Sequence, residues 1–485
     1  MKRNLKAIAL LITIAELSAF TLSCGNTADT TEVTTEPEST TAEETSEYKN
    51  PGVNYGGETF TFLEYNPESY FWKACSYSDI RANEDSGDPI NDAQYKRNRK
   101  VEEELEIKLE TIKTNDENED ELRKLILAGD KTVDVAQLFY GSMAAIVSEE
   151  GMIQNWKDVA TLDLSASWWD QNAIDTFTFG SGLNVITGDL SIYSQFAPML
   201  LFYNKRVAEM YKINDCYDLV RAGKWTNDKV YEYCRVVADD LNGDGKMDEN
   251  DRFGMAEQTG LIPDMLISSG ENIARKNQKG ELELVVGSER VFDLQTKFYK
   301  FLRDYDVNCE AGQYASKYKN VFFELHIPMF KNDQLLFNYN QLLIAIELRA
   351  MDADYGLLPT PKADESQENY RTSVSGAWAT FYTIPATNDR LDMTGHVMDA
   401  LGYYSKEYVT SEYIDTTIRQ KGLRDEDSAE MLELILASKV YDTAIVYNWG
   451  YVKNVLNDSA NIASAYASSE SKIKADFEAT VAAMK

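Results

Sequence analysis

Oxygen-bearing side chains recur at alternating positions in the segment DLNGDGKMDEND, which runs from Asp240 to Asp251. A hard cation such as calcium takes about six to eight oxygen ligands, and a loop of about twelve residues supplies them from positions 1, 3, 5, 7, 9 and 12. Gly245 stands at the sixth position, where such a loop turns sharply. The spacing predicts a calcium site with the ligands Asp240, Asn242, Asp244, Lys246 (through its carbonyl), Asp248 and Asp251. The alternative is an acidic surface turn without a metal.

Signatures of enzymes are scarce in this sequence. The two histidines, His326 and His396, are far apart, and no HExxH, GxSxG, Walker or GxGxxG motif occurs. Carboxylates are so abundant that pairs arise by chance, and a glycosidase needs a particular distance between two of them. The sequence therefore predicts a protein that is not an enzyme.

The charge balance of the chain excludes one class of partner. Among 485 residues, 80 are acidic and 48 are basic, which gives a formal net charge of −32. Such a chain is repelled by nucleic acid, so no nucleic-acid partner is expected. Its length predicts two or three domains. The 29 tyrosines and seven tryptophans either pack in the core or line a cleft for a sugar or a peptide.

The N-terminal segment has the pattern of an export signal. Basic residues precede an apolar stretch over residues 7–15, which Glu16 ends too early for a membrane span. The sequence TLSC then resembles a bacterial lipoprotein cleavage box, with Thr21 where Leu is usual. We expect a signal peptide over residues 1–24, lipidation of Cys24, and a mature protein anchored to the outer face of the cell membrane.

A polar stretch follows the candidate lipidation site. Residues 25–53 are rich in Thr and Glu and lack apolar periodicity. Such a composition buries too little apolar surface to fold by itself. The pattern predicts a disordered tether that holds a folded body away from the membrane.

Four further cysteines lie beyond the tether, namely Cys75, Cys216, Cys234 and Cys309. Their spacing matches no zinc or CxxC pattern. Cys216 and Cys234 could form a disulfide, but a body of this size does not need one, and buried free thiols are expected.

Strand and helix patterns alternate from about residue 54 onward. ETFTFLEY and TVDVAQLFYG read as strands, whereas DELRKLILAGD reads as an amphipathic helix. This alternation predicts an α/β fold with largely parallel sheets. Trp168, Trp169 and Trp225 are expected to pack in the core, with Thr226 capping a helix.

Several stretches, in this order, resemble a known family. They are LDLSASWWDQN (162–172), VITGDL (185–190), LLFYNKRV (200–207), CYDLVRAGKWTNDKV (216–230), the loop with DRFGM (240–255), LRAMDADYGLLPTPKADESQENY (348–370), GAWATFYTIPAT (376–387) and LRDEDSAEMLELI (423–435). The order resembles that of the extracellular solute-binding proteins of bacterial ABC importers, of the carbohydrate type and in lipoprotein form. The resemblance implies a monomer that binds a sugar and delivers it to ABC permease subunits, without catalysis.

The resemblance also implies two lobes that close over a ligand at a hinge. It predicts one lobe from 54–198 with 375–405, and a second from 199–374 with 406–485. The chain should cross between them near Phe196–Tyr203 and Ser373–Thr383. The calcium loop should be a structural element of the second lobe, outside the cleft.

Ligands of open α/β sheets bind beyond the carboxyl ends of the strands. The residues that follow predicted strands are Tyr65, Asn66, Tyr140, Ser191, Tyr193, Gln195, Gln258, Tyr339 and Asn340. Two further candidates are Trp378, near the second crossing, and Trp449, in the segment YNWGYV. Aromatic rings stack on the C–H faces of sugars, and polar groups bind sugar hydroxyls. A secreted carbohydrate-active enzyme and a cell-wall adhesion module are the alternative functions.

Overall fold

A computed structural model describes residues 47–69, 77–84, 86–115, 118–349, 351–414 and 426–483. The described residues fall within one compact unit, Thr45–Lys485. The predicted signal peptide, Cys24 and Cys75 lie outside the described residues. None of the helices in the described part of the chain is long and apolar enough to cross a membrane.

Sixteen strands are assigned within the described residues. In chain order they are β1 (Glu58–Tyr65), β2 (Ile107–Thr114), β3 (Val135–Phe139), β4 (Ile153–Gln154), β5 (Thr178–Phe179), β6 (Gly182–Leu183), β7 (Met199–Asn204), β8 (Phe253–Glu257), β9 (Ala274–Lys276), β10 (Leu282–Leu284), β11 (Asn308–Glu310), β12 (Leu335–Gln341), β13 (Tyr355–Pro359), β14 (Thr372–Ser373), β15 (Thr380–Pro385) and β16 (Lys439–Val440).

Helices separate most of these strands, as the alternating pattern predicts. They are α1 (Pro89–Leu105), α2 (Asn118–Leu127), α3 (Ala144–Val147), α4 (Gln171–Phe177), α5 (Ile192–Phe196), α6 (Lys205–Met210), α7 (Cys216–Arg221), α8 (Asn227–Val237), α9 (Ile262–Ser268), α10 (Glu289–Leu302), α11 (Ala311–Tyr314), α12 (Ile327–Lys331), α13 (Ile344–Leu348), α14 (Leu391–Tyr404), α15 (Glu426–Ala437), α16 (Thr443–Tyr447), α17 (Val452–Asp458) and α18 (Ile462–Ala483). Short 3₁₀ turns occur at Pro67–Ser69, Trp156–Asp158 and Trp449–Tyr451, and π-helical turns at Phe322–His326 and Ser405–Thr410.

Two five-stranded sheets organise the body. The first has the order β2-β1-β3-β15-β4, with β1, β2 and β3 parallel and β15 antiparallel to β3. The second has the order β11-β8-β12-β7-β13, with β8, β11 and β12 parallel and β7 antiparallel to β12. Every residue of β7, β8 and β12 is buried, as is typical of strands covered on both faces. The predicted α/β class is confirmed.

The C-terminal part of the chain packs against elements next to the first sheet and against elements of the second sheet. The turn Ser405–Thr410 continues α14 and packs with it against α1, beside the first sheet. The predicted second lobe, which resumes at residue 406, therefore begins too early. Further along, α15 packs on β13 of the second sheet and α18 packs against α10.

The predicted tether also ends earlier than residue 53. Tyr48 stacks on Tyr403 with ring centroids 4.7 Å apart, and its hydroxyl donates to Glu104 Oε1 at 2.5 Å. It also meets Trp168 edge to face at 6.1 Å. Aromatic contacts thus attach the end of the predicted tether to the folded body.

Several predictions about individual core residues are confirmed. Trp168, Trp169 and Trp225 are buried, and the Thr226 side chain caps α8. Three of the cysteines, Cys216, Cys234 and Cys309, are buried free thiols, so the disulfide between the first two does not form.

Candidate functional site

Four aromatic rings form a row along the ends of the strands in the first sheet. Tyr65 meets Phe139 edge to face at 5.1 Å, and Phe139 meets Tyr193 at 6.2 Å. Tyr193 in turn stacks on Trp378 with centroids 6.0 Å apart and planes 25° apart. Tyr65 and Phe139 are half-buried, whereas Tyr193 and Trp378 are almost fully buried. We call these four residues the aromatic row.

The topology of the first sheet explains the aromatic row. Tyr65 is the last residue of β1 and Phe139 the last of β3, and these strands are parallel, so both side chains reach the same edge. Thr380, the first residue of β15, pairs with Phe139 in the antiparallel register. Trp378 lies two residues before Thr380 and is therefore brought to the same edge of the sheet as Phe139.

Three carboxamides form a second group at the ends of strands in the second sheet. Gln258 Nε2 donates to Asn340 Oδ1 at 2.5 Å and to Gln341 Oε1 at 2.9 Å. Gln341 Nε2 donates to Gln258 Oε1 at 3.3 Å and to Ser375 Oγ at 3.2 Å. We call Gln258, Asn340, Gln341 and Ser375 the amide cluster. Gln258 follows β8 and Gln341 ends the parallel strand β12, so the sheet places them side by side.

Backbone hydrogen bonds join the two groups where the chain crosses between the sheets. Ser375 N donates to Ala197 O at 3.0 Å, and Leu343 N donates to Phe196 O at 3.1 Å. Ser375 of the amide cluster is three residues before Trp378 of the aromatic row. The aromatic row and the amide cluster therefore meet at the paired crossing segments.

The loop after β3 and the second crossing segment approach too closely for side chains at one point. Gly141 N donates to Gly376 O at 2.8 Å. A Cβ added to Gly141 would lie 2.7 Å from that oxygen, and a Cβ added to Gly376 would lie 2.7 Å from Ile445 Cγ2. Gly141 is therefore required for this approach of the backbones, whereas a side chain at Gly376 would collide with the side chain of Ile445.

Three of the predicted cleft residues lie in the core. The Tyr140 hydroxyl donates to Asp442 O at 2.8 Å and accepts from Asp442 N at 2.9 Å, and its side chain is fully buried. Trp449 is covered by α18 and donates to Thr480 Oγ1 at 2.8 Å. Tyr339, which is 1% exposed, donates to Thr360 Oγ1 at 3.2 Å. Their polar atoms form hydrogen bonds within the protein. The prediction that the side chains of Tyr140, Trp449 and Tyr339 face a ligand is therefore wrong.

The remaining predicted residues lie at or near the aromatic row and take different roles. Ser191 is the N-cap of α5 and is bonded to Thr380 Oγ1 at 2.5 Å, so it positions the helix that carries Tyr193. Gln195 is buried in the same helix. Asn66 is half-buried and donates to Asn115 Oδ1 at 2.8 Å.

The sequence interpretation missed three members of these groups. Phe139 ends the strand recognised in TVDVAQLFYG, and Gln341 directly follows the predicted Asn340. Both could have been found by extending each strand to its last residue. Ser375 carries no comparable signal, because its role depends on the pairing of the two crossing segments.

Two carboxylates lie next to the amide cluster. Glu257 and Glu310 are register partners on neighbouring strands, 1% and 5% exposed. Burial raises the pKa of Glu257 well above its usual range, and Arg303 Nη1 lies 3.6 Å from Glu257 Oε1. The acid and base of a glycosidase must both reach the scissile bond. The burial of Glu257 and Glu310 does not suit this task.

The loop Asp240–Asp251 is closed by its own hydrogen bonds. Asp240 accepts from Gly243 N at 2.7 Å and from Gly245 N at 2.8 Å, and Asp251 accepts from Leu241 N at 3.0 Å. Asn242, Asp244 and Asp248 each accept from a backbone N–H two residues later, and Lys246 N is one of these donors. Within the described residues, no three His, Cys, Asp or Glu side chains are grouped to hold a metal ion. The calcium site in this loop stays a prediction.

Comparison with known proteins gives no match by sequence. No protein-family model matches this chain, and no curated protein does. Solved structures do match its fold. An ABC substrate-binding protein of Listeria monocytogenes in complex with cycloalternan has a TM-score of 0.56 at 14% identity, over 87% of this chain and 99% of that one.

Two further solved structures give similar values. The galacto-N-biose-/lacto-N-biose I-binding protein of a Bifidobacterium longum ABC transporter, in complex with lacto-N-biose, has a TM-score of 0.57 at 11% identity, over 88% of this chain and 98% of that one. UgpB of Mycobacterium tuberculosis, in complex with glycerophosphocholine, has a TM-score of 0.55 at 13% identity, over 87% of this chain and 98% of that one. The chain therefore has the two-lobed fold of the solute-binding proteins of ABC transporters.

Proposed function

We propose that this protein binds a neutral sugar or oligosaccharide between the aromatic row and the amide cluster and delivers it to the permease of an ABC importer. The observation that carries the proposal is the meeting of these two groups at the segments where the chain crosses between the sheets. A ligand placed there touches both sheets at once. Its binding would favour a closed arrangement, because only the closed state offers both sets of contacts.

The chemistry of the two groups suits a carbohydrate. The C–H faces of a pyranose ring stack on aromatic rings, and the half-buried Tyr65 and Phe139 offer such rings. Carboxamides both donate and accept hydrogen bonds, as sugar hydroxyls do. The three amides of the cluster carry no charge, which favours a neutral ligand over an anion.

The comparisons support this assignment of ligand class. The Listeria and Bifidobacterium proteins are bound to cycloalternan and lacto-N-biose, both of them saccharides. UgpB is bound to glycerophosphocholine, a phosphodiester. A charged phosphodiester needs a cationic partner, and none of the four members of the amide cluster supplies one.

Anchoring at the membrane is a separate part of the proposal and rests on the N-terminal sequence. Diacylglycerol on Cys24 would hold the protein outside the cell near its permease, since two acyl chains give stable attachment. Intact-mass measurement of the protein from membrane fractions tests this part. A mature chain that begins elsewhere than Cys24, or firm membrane attachment of Cys24→Ala, would refute it.

A thermal-shift screen of mono- and oligosaccharides, followed by calorimetry, tests the ligand class. A ligand present at about 100 times its Kd should stabilise the folded state by about 2.7 kcal/mol. Saturable binding of one neutral saccharide with unit stoichiometry is expected. Glycerophosphocholine is included as a zwitterionic phosphodiester for comparison, and release of reducing sugar is measured in parallel. Hydrolysis of a glycan would replace this proposal with the enzyme alternative, and binding without domain closure would favour an adhesion module.

A further inference from the structure

A polar cavity of about 280 Å³ lies between α4 and the hairpin formed by β9 and β10. It shares no lining residue with the aromatic row or the amide cluster. The chain carries a net charge of −32, yet three of the side chains around this cavity are the cations Arg275, Lys276 and Arg371. The one carboxylate among its lining residues is Asp175. The local charge is thus opposite in sign to that of the whole chain.

Two of these cations are already neutralised. Arg275 Nε lies 3.1 Å from Glu283 Oε1, and the Arg275 side chain is 63% exposed. Lys276 Nζ lies 3.6 Å from Asp175 Oδ1 and also donates to the Asp175 carbonyl. Neither side chain therefore depends on a ligand for its counter-charge.

Arg371 differs from both. Its Nε donates to Ile267 O at 3.2 Å and its Nη2 to Asn272 Oδ1 at 3.0 Å, so both acceptors are uncharged. Burial lowers the pKa of Arg371, and this effect exceeds the opposite effect of the negative charges of Asp442 and Glu271, which raise it. Within the described part of the chain, no carboxylate lies within ion-pair distance of its guanidinium. A half-buried cation that no carboxylate contacts directly is costly, and a bound anion would offset part of that cost.

The two acidic groups that attract the Arg371 guanidinium, Asp442 and Glu271, are already engaged by other donors. Asp442 Oδ2 accepts from Ile273 N at 2.7 Å, and Asp442 Oδ1 accepts from Ala444 N at 2.8 Å. Glu271 is engaged by Arg290 at 3.6 Å. Both carboxylates are thus held by other donors.

A second side chain at the cavity also has an unmet hydrogen-bonding capacity. Thr443 lines the cavity and is 2% exposed. Its hydroxyl oxygen is buried and has no hydrogen-bond partner among the described residues. Buried hydroxyls are nearly always bonded, so an oxygen of a ligand is a natural partner.

We propose that this cavity is a binding site for a small organic anion, whose carboxylate or phosphate group is held by Arg371 and Thr443. The guanidinium supplies a charge-assisted, planar donor for two oxygens, and the hydroxyl donates a further bond. The cavity volume lies just below the usual range of small-molecule pockets, roughly 300–1,000 Å³. It therefore suits a molecule of the size of citrate or a sugar phosphate. The bound anion would connect α4 with the β9–β10 hairpin.

Calorimetry and thermal shift with citrate and with inorganic phosphate test this site. The full-length protein is titrated against chloride solutions of equal ionic strength, so that general salt effects cancel. At least one anion should bind saturably with unit stoichiometry. Binding of citrate alone would identify a carboxylate site, and binding of phosphate alone a phosphate site. Absence of saturable binding for both would overturn the proposal.

Three variants locate the anion. Arg371→Gln should weaken binding at least tenfold, and Thr443→Val, which keeps the shape of the side chain, at least threefold. Arg275→Gln is the matched control, because this residue lines the same cavity but is exposed and already paired; its effect should stay below twofold. An equal loss in Arg275→Gln and Arg371→Gln would mean diffuse attraction and would refute the site. If Arg371→Gln does not fold, an unchanged affinity in Thr443→Val refutes it instead.

Discussion

Replacement of Gln258 by alanine probes the amide cluster with a small change. The substitution removes the donor to Asn340 Oδ1 at 2.5 Å and to Gln341 Oε1 at 2.9 Å, and the acceptor of Gln341 Nε2 at 3.3 Å. Gln258 is half-buried, so the shortened side chain leaves space that water can enter. We therefore expect the fold to persist in Gln258→Ala.

The size of the effect follows from the bonds that remain. Asn340 Oδ1 still accepts from Gln341 N at 2.9 Å, and Gln341 Nε2 still donates to Ser375 Oγ at 3.2 Å. With those bonds kept, the free energy of unfolding should fall by about 1 kcal/mol. A sugar would lose a direct bond to Gln258 and a fixed orientation of its neighbours, together worth about 1–2 kcal/mol. The Kd of the cognate saccharide should rise about five- to thirtyfold.

Gln334→Ala is the matched control for this experiment. Gln334 is also half-buried, and its Nε2 donates to two backbone carbonyls, Glu249 O at 3.0 Å and Asp251 O at 3.2 Å. It precedes β12, whereas Gln341 ends that seven-residue strand, so the two ends are about 20 Å apart. A similar loss of stability is expected, without a change in Kd.

Both variants are compared by urea unfolding and by calorimetry with the saccharide found in the screen. Equal Kd values for the wild type and Gln258→Ala would refute the placement of the ligand on the amide cluster. Equal weakening in both variants would show that loss of stability, and not loss of a contact, lowers the affinity.

Three further predictions concern stability. Burial raises the pKa of Glu64 to about 7 and that of Asp442 to about 6, so the folded state keeps protons that the unfolded chain releases above its ordinary carboxyl pKa. The free energy of unfolding should therefore fall by a few kcal/mol between about pH 4 and pH 7, and urea melts that show a rise instead would contradict this. Tyr140→Phe removes both bonds to the Asp442 backbone and should cost about 1–2 kcal/mol in thermal unfolding while the Kd for the saccharide stays within twofold. If calcium binds the Asp240–Asp251 loop, chelation should lower Tm, and Asp240→Ala should abolish the dependence of Tm on calcium. The affinity for the saccharide should not change in either case. A melting curve that chelation leaves unchanged would mean that the loop is an acidic turn without a metal.

The alternation of strands and helices was predictable because it depends on local periodicity. β1 and β3 follow the patterns of ETFTFLEY and TVDVAQLFYG, and the rings at their ends, Tyr65 and Phe139, lie at one edge because the strands are parallel. Neighbouring residues of a strand point to opposite faces. Tyr339 and Asn340 could therefore not both face the ligand, and the structure places Asn340 in the amide cluster and Tyr339 in the core.

Other positions depended on contacts between distant parts of the chain. Trp449 lies in an aromatic segment that reads like a binding loop, but α18 returns from later in the sequence and covers it. Tyr140 is buried by its bonds to Asp442, about 300 residues further along the chain. No local pattern predicts either of these long-range contacts.

Hydrogen exchange of the protein with and without its saccharide tests the central claim most directly, because it locates the ligand without any substitution. The account predicts slower exchange on both sides of the crossing segments in the same complex. On the first sheet the protected peptides should include Tyr65 and Phe139–Ser142, and on the second sheet they should include Gln258–Gly260 and Asn340–Leu343. Protection confined to one sheet, or located away from both edges, would contradict a ligand held between the aromatic row and the amide cluster.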